Sequence, residues 1–223
     1  MEFGRAFTFA FQDPDWLKKV GIAALVSLIP VIGGITLMGW GLEITRRVIN
    51  NDPDPLPGWD NFSSFISKGF QAFVVSLAYA LPIILVVMCQ YGVSFALIFA
   101  SSNSDSSTMG GIATVVGVCM TCIVILFAIV AGFFIPAALG NLAATGELGA
   151  AFRFNQIFAL LRAAPGPYVM EILGVALASM ILSPLGILIC GVGLLFTTAY
   201  TTTLSAHLTG QAYKVAIAAA PAM

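Results

Sequence analysis

Apolar positions gather in four long runs, at residues 20–42, 69–100, 112–140 and 168–206, with short polar stretches between them. A helix of about 20 residues crosses about 30 Å of hydrocarbon, so the second and third runs supply one crossing each. The fourth is too long for one helix and contains Ser183-Pro-Leu-Gly186. That turn signal predicts a break and two helices, 168–182 and 187–207. The first run contains Ile29-Pro-Val-Ile-Gly-Gly34 and reads in two ways. It crosses once, or it folds at Pro30–Gly34 into two short helices, 14–30 and 34–50. Asp13 then serves as N-cap and Pro14 as first helical residue, with Asp15 at the positive end of the helix dipole.

Charge placement favours the hairpin. The nine basic residues are Arg5, Lys18, Lys19, Arg46, Arg47, Lys68, Arg153, Arg162 and Lys214. A hairpin puts all nine on one side, cytoplasmic by the positive-inside rule, with both termini. A single crossing moves Arg5, Lys18 and Lys19 to the other side. Two amphipathic stretches link the crossings. In 58–68 and the residues beside it, Trp59, Phe62, Phe65, Ile66 and Phe70 share one helical face. In 147–163, Phe154, Ile157, Phe158 and Leu161 do so. Both read as helices lying in the membrane interface. The expectation is an all-α membrane protein, one domain over 1–223. It is a six-helix transmembrane bundle (14–30, 34–50, 69–100, 112–140, 168–182, 187–207) with N- and C-terminal hairpins and the two interfacial helices. Trp16, Lys18, Lys19, Arg46, Arg47 and Trp59 anchor it at the interface.

Composition sharpens this picture. Of 223 residues, 59% are hydrophobic and 9% charged, against about a quarter charged in soluble domains, so lipid must solvate much of the apolar excess. A net charge of −1 leaves no basic surface to recruit nucleic acid. Met1–Gln12 reads as a Phe-rich interfacial start rather than a signal peptide. Cys89, Cys119, Cys122 and Cys190 all lie in apolar runs. Cys119-Met-Thr-Cys122 has redox or zinc-half-site spacing, but hydrocarbon offers no thiolate-stabilising charge, so packing is the simpler reading.

Ionisable groups within a bilayer are candidates for function. Glu43 precedes Arg46 and Arg47 by one turn, which predicts an interfacial ion pair. Glu171 lies one turn into its helix with no basic neighbour in sequence. It reaches the headgroups in the simplest reading, and binds a cation or a proton in the sharper one. His207 reads as an interface residue. Gln90 predicts an interhelical hydrogen bond, and Thr197–Thr203 a polar stripe serving as packing glue or lining a path. No cofactor, metal cluster or nucleophile–base pair is expected.

Several segments together resemble a known family. "DPDWLKK" from Asp13, "LIPVIGG" from Leu28, the Arg46-Arg47 pair and "NNDPDPLPGW" ending at Trp59 resemble the prokaryotic membrane family catalogued as domain of unknown function 4013, as does "GQAYK" at Gly210–Lys214. The resemblance implies a multi-helix integral membrane protein and carries no catalytic or binding residue.

Three functional readings follow. The first is a non-enzymatic multi-pass protein of the plasma membrane, a structural or accessory subunit that self-associates or packs on another membrane protein. The second is a small-solute or ion transporter or channel with a path lined by Glu171, Gln90, Thr197 and Thr201. The third is a lipid-responsive membrane organiser working through the interfacial helices.

Overall fold

The computed structural model describes residues 3–54, 56–101, 107–188 and 192–220. Cys190, Gly191 and residues 102–106 of the serine-rich polar loop lie outside them. Among the described residues the chain is all-helical. The α-helices are α1 (Phe3–Thr8), α2 (Trp16–Val26), α3 (Ile32–Asn50), α4 (Phe62–Ser101), α5 (Ser107–Thr145), α6 (Phe154–Ala163), α7 (Pro165–Leu188) and α8 (Val192–Ala219). Three helical stretches are long and apolar enough to cross a membrane: Phe62–Leu97, Thr114–Thr145 and Pro165–Leu188.

The first run does reverse direction. Lys19 Nζ on α2 and Arg47 Nη1 on α3 both donate to the Leu56 carbonyl, at 2.8 and 3.4 Å, so the far ends of the two helices meet. The turn is tight. The Ile32 N–H donates to the Pro30 carbonyl at 2.7 Å, and Val31 between them has φ +65° and ψ −61°. That is a γ-turn of the rare, strained kind. Gly33 lets it close, because a methyl there would overlap the Val26 carbonyl. Val31 is exposed and carries the cost of a β-branched residue at positive φ. Val31→Gly is expected to raise the unfolding midpoint in detergent, by about 1 kcal/mol of relieved strain.

Several boundaries differ from expectation. α2 has 11 residues and rises about 16 Å, half the hydrocarbon thickness, so it is shorter than the 14–30 helix and does not cross alone. The segment read as an interfacial helix at 58–68 and the crossing helix at 69–100 are one continuous α4. The sequence there changes which face is apolar, but Ser67-Lys68-Gly69-Phe70 contains nothing that stops a helix. The 147–163 segment is a 3₁₀ turn, Leu148–Phe152, followed by α6. α6 buries Ile157 and Leu160 and exposes Phe154 and Phe158. α7 runs through Ser183–Gly186 with Pro184 inside it, which a helix tolerates where neighbours satisfy the freed carbonyl. α7 ends at Leu188 and α8 begins at Val192. α8 continues past 207 to Ala219.

The residues form two compact units. In 77–132, Gln90 Nε2 donates to Thr121 Oγ1 at 3.4 Å, the interhelical bond expected of it. Leu85, Met88, Tyr91, Phe95, Val118 and Leu126 are exposed. So are Cys89, Cys119 and Cys122, which corrects the packing role expected of them.

The other unit, 1–76 with 133–223, holds the core. Trp40, Ile44, Leu56 and Phe65 are buried with Phe9, Val20, Ala23 and Ala206. Trp59 stacks on Trp40 with centroids 5.5 Å apart. Glycines set the helix approaches. Gly39 of α3 faces Gly69 of α4, Gly140 of α5 faces the Tyr213 ring, and Gly210 of α8 faces Val48.

Candidate functional site

Two ladders of side chains at four-residue spacing face each other in this unit. Such residues lie one above another on a helix face. On α7 the ladder is Glu171, Val175, Ser179 and Ser183; on α8 it is Thr197, Thr201, Ser205 and Thr209. Together with Gly41 and Thr45 of α3 they enclose a cleft of about 430 Å³, whose lining includes all of these residues except Glu171. At 1.5 Å per residue the α8 ladder runs about 18 Å.

Glu171 stands behind the end of the cleft, 3% exposed. The Thr209 hydroxyl, a cleft-lining group, donates to Glu171 Oε1. Glu171 Oε2 and the Tyr168 hydroxyl, one turn apart on α7, are buried without a protein hydrogen-bond partner. Nearby, the Tyr213 hydroxyl donates to Asn141 Oδ1 at 3.0 Å, and Asn141 Nδ2 donates to the Ala150 carbonyl at 2.9 Å. Unpartnered buried polar atoms are costly, so these two mark the place where the fold leaves chemistry unspent.

The cleft threonines share one state. Thr197 donates to the Leu194 carbonyl (3.0 Å), Thr201 to that of Thr197 (2.7 Å) and Thr202 to that of Thr198 (2.9 Å). Thr45 lies within bonding distance of the Gly41 and Ala206 carbonyls. A hydroxyl has one hydrogen and two lone pairs. With the hydrogen committed to the backbone, each offers acceptor oxygen.

Thr209 is the exception. Its single hydrogen has two possible acceptors, Glu171 Oε1 and the Ser205 carbonyl at 2.9 Å. An ionised Glu171 takes it. A carboxyl carrying its own hydrogen donates to Thr209 instead and releases Thr209 to bond Ser205. Both arrangements leave the Thr209 hydroxyl hydrogen-bonded.

The other sequence candidates sort clearly. Thr197 and Thr201 belong to the cleft. Gln90 belongs to the 77–132 unit, against Thr114, Gly117 and Thr121. Glu171 does not follow the simple reading in which it reaches the headgroups, because α8 covers it. His207 is 5% exposed, with its ring 4.0 Å from that of Phe9. Ser205 belongs to the polar stripe at 196–205, whereas Thr45, Ser179, Ser183 and Thr209 were missed. The four-residue spacing was the signal available for them.

The topology anchors are structural. Lys19 Nζ pairs with the buried Asp13 carboxylate at 2.6 Å, and Asp13 also accepts the Leu56 N–H at 3.3 Å. The Trp59 indole N–H donates to the Lys19 carbonyl at 2.9 Å, and that of Trp40 to the Pro57 carbonyl at 3.1 Å. Trp16 packs against the same core and meets Phe11 edge-on, while Lys18 is exposed. Trp59 is therefore part of the core, and a lipid-facing role for the 58–68 segment loses its main aromatic. Glu43 holds Arg46 (3.0 Å) and Lys68 (2.6 Å), with Arg47 Nε 3.9 Å away, one cation more than the sequence suggested.

These are the segments that carried the family resemblance, now seen to lock α2, α3 and the 51–60 loop together. A family model, Protein of unknown function (DUF4013), matches residues 22–191. The chain belongs to the DUF4013 family. The matched span includes Arg46-Arg47 and the 51–60 loop. Asp13–Lys19 and Gly210–Lys214 lie outside it. No curated protein and no solved structure matches this DUF4013 chain significantly.

Proposed function

We propose that this DUF4013 protein is a non-enzymatic, multi-pass protein of the cell membrane that admits a small cation, an alkali metal or a protonated amine, into the cleft between α7 and α8. The observation that carries this reading is the one-sided chemistry of the lining. The threonine hydroxyl hydrogens are committed to helix carbonyls, so their acceptor oxygens face a cleft that ends beside a buried carboxyl with one unpartnered oxygen. Such a surface solvates a cation or a hydrogen-bond donor and repels an anion. The Thr209 hydrogen, which serves Glu171 or Ser205 in turn, lets Glu171 exchange its proton for that cation.

In this reading α4, α5, α7 and α8 cross the membrane. α8 has 28 residues, or about 42 Å, and its lower hydropathy reflects the threonines turned to the cleft. The α2–α3 hairpin enters from the cytoplasmic side and returns, its apolar tip at Leu28–Ile32 exposed to lipid. That arrangement replaces the six-crossing bundle and keeps all nine basic residues and both termini cytoplasmic. Its partner is the lipid bilayer, and nucleic acid is not one.

The test is flux into proteoliposomes with sodium, potassium and methylammonium as probes. Saturable flux of at least one is expected, falling at least about tenfold in Glu171→Gln, as for loss of one charge-assisted contact, with an unchanged unfolding midpoint. Absence of saturable flux, or equal flux in the folded variant, sinks the proposal. The accessory-subunit reading would then stand. It is favoured by the exposed Met88, Tyr91 and Phe95 of the 77–132 unit, a face suited to self-association or to another membrane protein. A defined partner copurifying in mild detergent would support it.

A further inference from the structure

We propose that a second cavity, between the C-terminal end of α3 and the later part of α8, binds a phosphate-bearing anion. The source is the headgroup of an anionic phospholipid or free phosphate.

This cavity holds about 490 Å³, and its polar lining includes Gln12, Arg47, Asn51, His207, Gln211 and Lys214. Its chemistry is the reverse of the cleft's. Arg47 lines the cavity and donates from Nη1 to the Asp54 and Leu56 carbonyls at 3.0 and 3.4 Å, which fixes its guanidinium there. The Lys214 ammonium donates to Asn51 Oδ1, which spends one of its three hydrogens. That bond turns the Asn51 amide nitrogen into a further donor, and the Gln12 amide adds another. Fixed positive charge and unspent N–H groups are what a phosphate's oxygens need, and an Arg guanidinium suits them best.

Two features argue against an anion, and the structure answers both. The negative end of the α3 dipole points here, but Asn51 caps it in the left-handed conformation, φ +54°. The Asn51 and Asp52 N–H groups return to the Val48 and Arg47 carbonyls at 3.3 and 3.0 Å, the capping pattern that satisfies the last carbonyls. The one carboxylate, Asp52, turns Oδ1 to the Asp54 N–H at 3.1 Å within its own loop. Arg47 and Lys214 outweigh its single charge. Phe9, tilted against the His207 ring, forms an apolar wall, and Phe11 is half exposed. An apolar wall beside a cationic pocket matches the join between a phospholipid's headgroup and its chains.

The test uses the full chain in a non-ionic maltoside detergent, with inorganic phosphate and dihexanoylphosphatidylglycerol as probes and chloride as control. Binding is read by thermal stabilisation and by native mass spectrometry. Lys214→Glu and Gln12→Glu reverse or oppose the pocket's charge without touching the Asp13–Lys19 or Glu43 networks. Each is expected to weaken binding at least about tenfold while leaving the ligand-free unfolding midpoint unchanged. Binding of phosphatidylglycerol alone identifies a lipid headgroup, and comparable binding of phosphate identifies the free anion. If neither probe binds, or if both folded variants bind as the parent does, the site does not exist.

Discussion

Replacing Gly69 with alanine is expected to abolish the folded protein, and Gly39→Ala should do the same from the opposite helix. α3 and α4 cross backbone against backbone at this pair. A methyl on Gly69 would overlap the Ile35 carbonyl oxygen and lie 2.9 Å from the Gly39 nitrogen. One on Gly39 would overlap the Phe65 carbonyl and lie 2.7 Å from the Gly69 nitrogen. No flexible side chain is there to yield, so the helices must separate. Separation pulls Phe65 from the Trp40–Trp59 stack and Lys68 from Glu43. Overpacking in a core costs about 1–3 kcal/mol, and more where backbone must move, so a loss above about 3 kcal/mol is expected. The control is Gly92→Ala or Gly117→Ala, where a methyl meets nothing within 4 Å. There alanine's higher helix propensity, about 1 kcal/mol, should leave stability equal or improved. The measurement is the folded fraction recovered from membranes and its unfolding midpoint in detergent. Equal midpoints for Gly69→Ala and Gly92→Ala would show that the α3–α4 crossing is wrong.

What the sequence revealed and what it hid follow one line, between local and distant partners. The reversal near Pro30 was legible because proline and two glycines act within one turn. The Glu43–Arg46 pair was legible because three residues on a helix are neighbours. Lys68, the third member, lies 25 residues from Glu43, and no periodicity announces it. The depth of Glu171 was misread because Thr209, the group that meets it, is 38 residues further on. Gln90 meets Thr121, 31 residues further on, another partner that no local pattern announces. Pro184 shows the opposite error. Its local signal is strong, but a helix near its end loses one bond to proline and continues.

The cleft and the anion cavity also clarify one ambiguity of the composition. Few charges in an apolar chain suggested that polar groups serve only to anchor helices. Instead, threonine hydroxyls with spent hydrogens collect along α8, and N–H groups of Lys214, Asn51 and Gln12 collect where α3 ends. Segregation of acceptors from donors gives each place a preference for one sign of charge, without any large net charge on the chain.

Lys19→Met is expected to destabilise nearly as much as the glycine substitutions, through electrostatics rather than sterics. Among the described residues, Lys19 is the cation paired with the Asp13 carboxylate, which is 2% exposed. Deleting it leaves a buried charge supported by two backbone N–H groups, those of Asp15 at 2.9 Å and Leu56 at 3.3 Å. Removing one partner of a buried pair costs about 3–5 kcal/mol. The lost hydrogen bond to the Leu56 carbonyl also loosens the loop that presents Pro57 to Trp40 and Trp59 to the Lys19 carbonyl. Adding Asp13→Asn to Lys19→Met removes the uncompensated charge and keeps an acceptor for Leu56, so the double variant should recover about half of the loss. The coupling energy from that double-mutant cycle is the decisive quantity. A value near zero, with Lys19→Met costing less than about 1 kcal/mol as an exposed pair would, would show that Asp13 and Lys19 do not form the lock between α2 and the 51–60 loop.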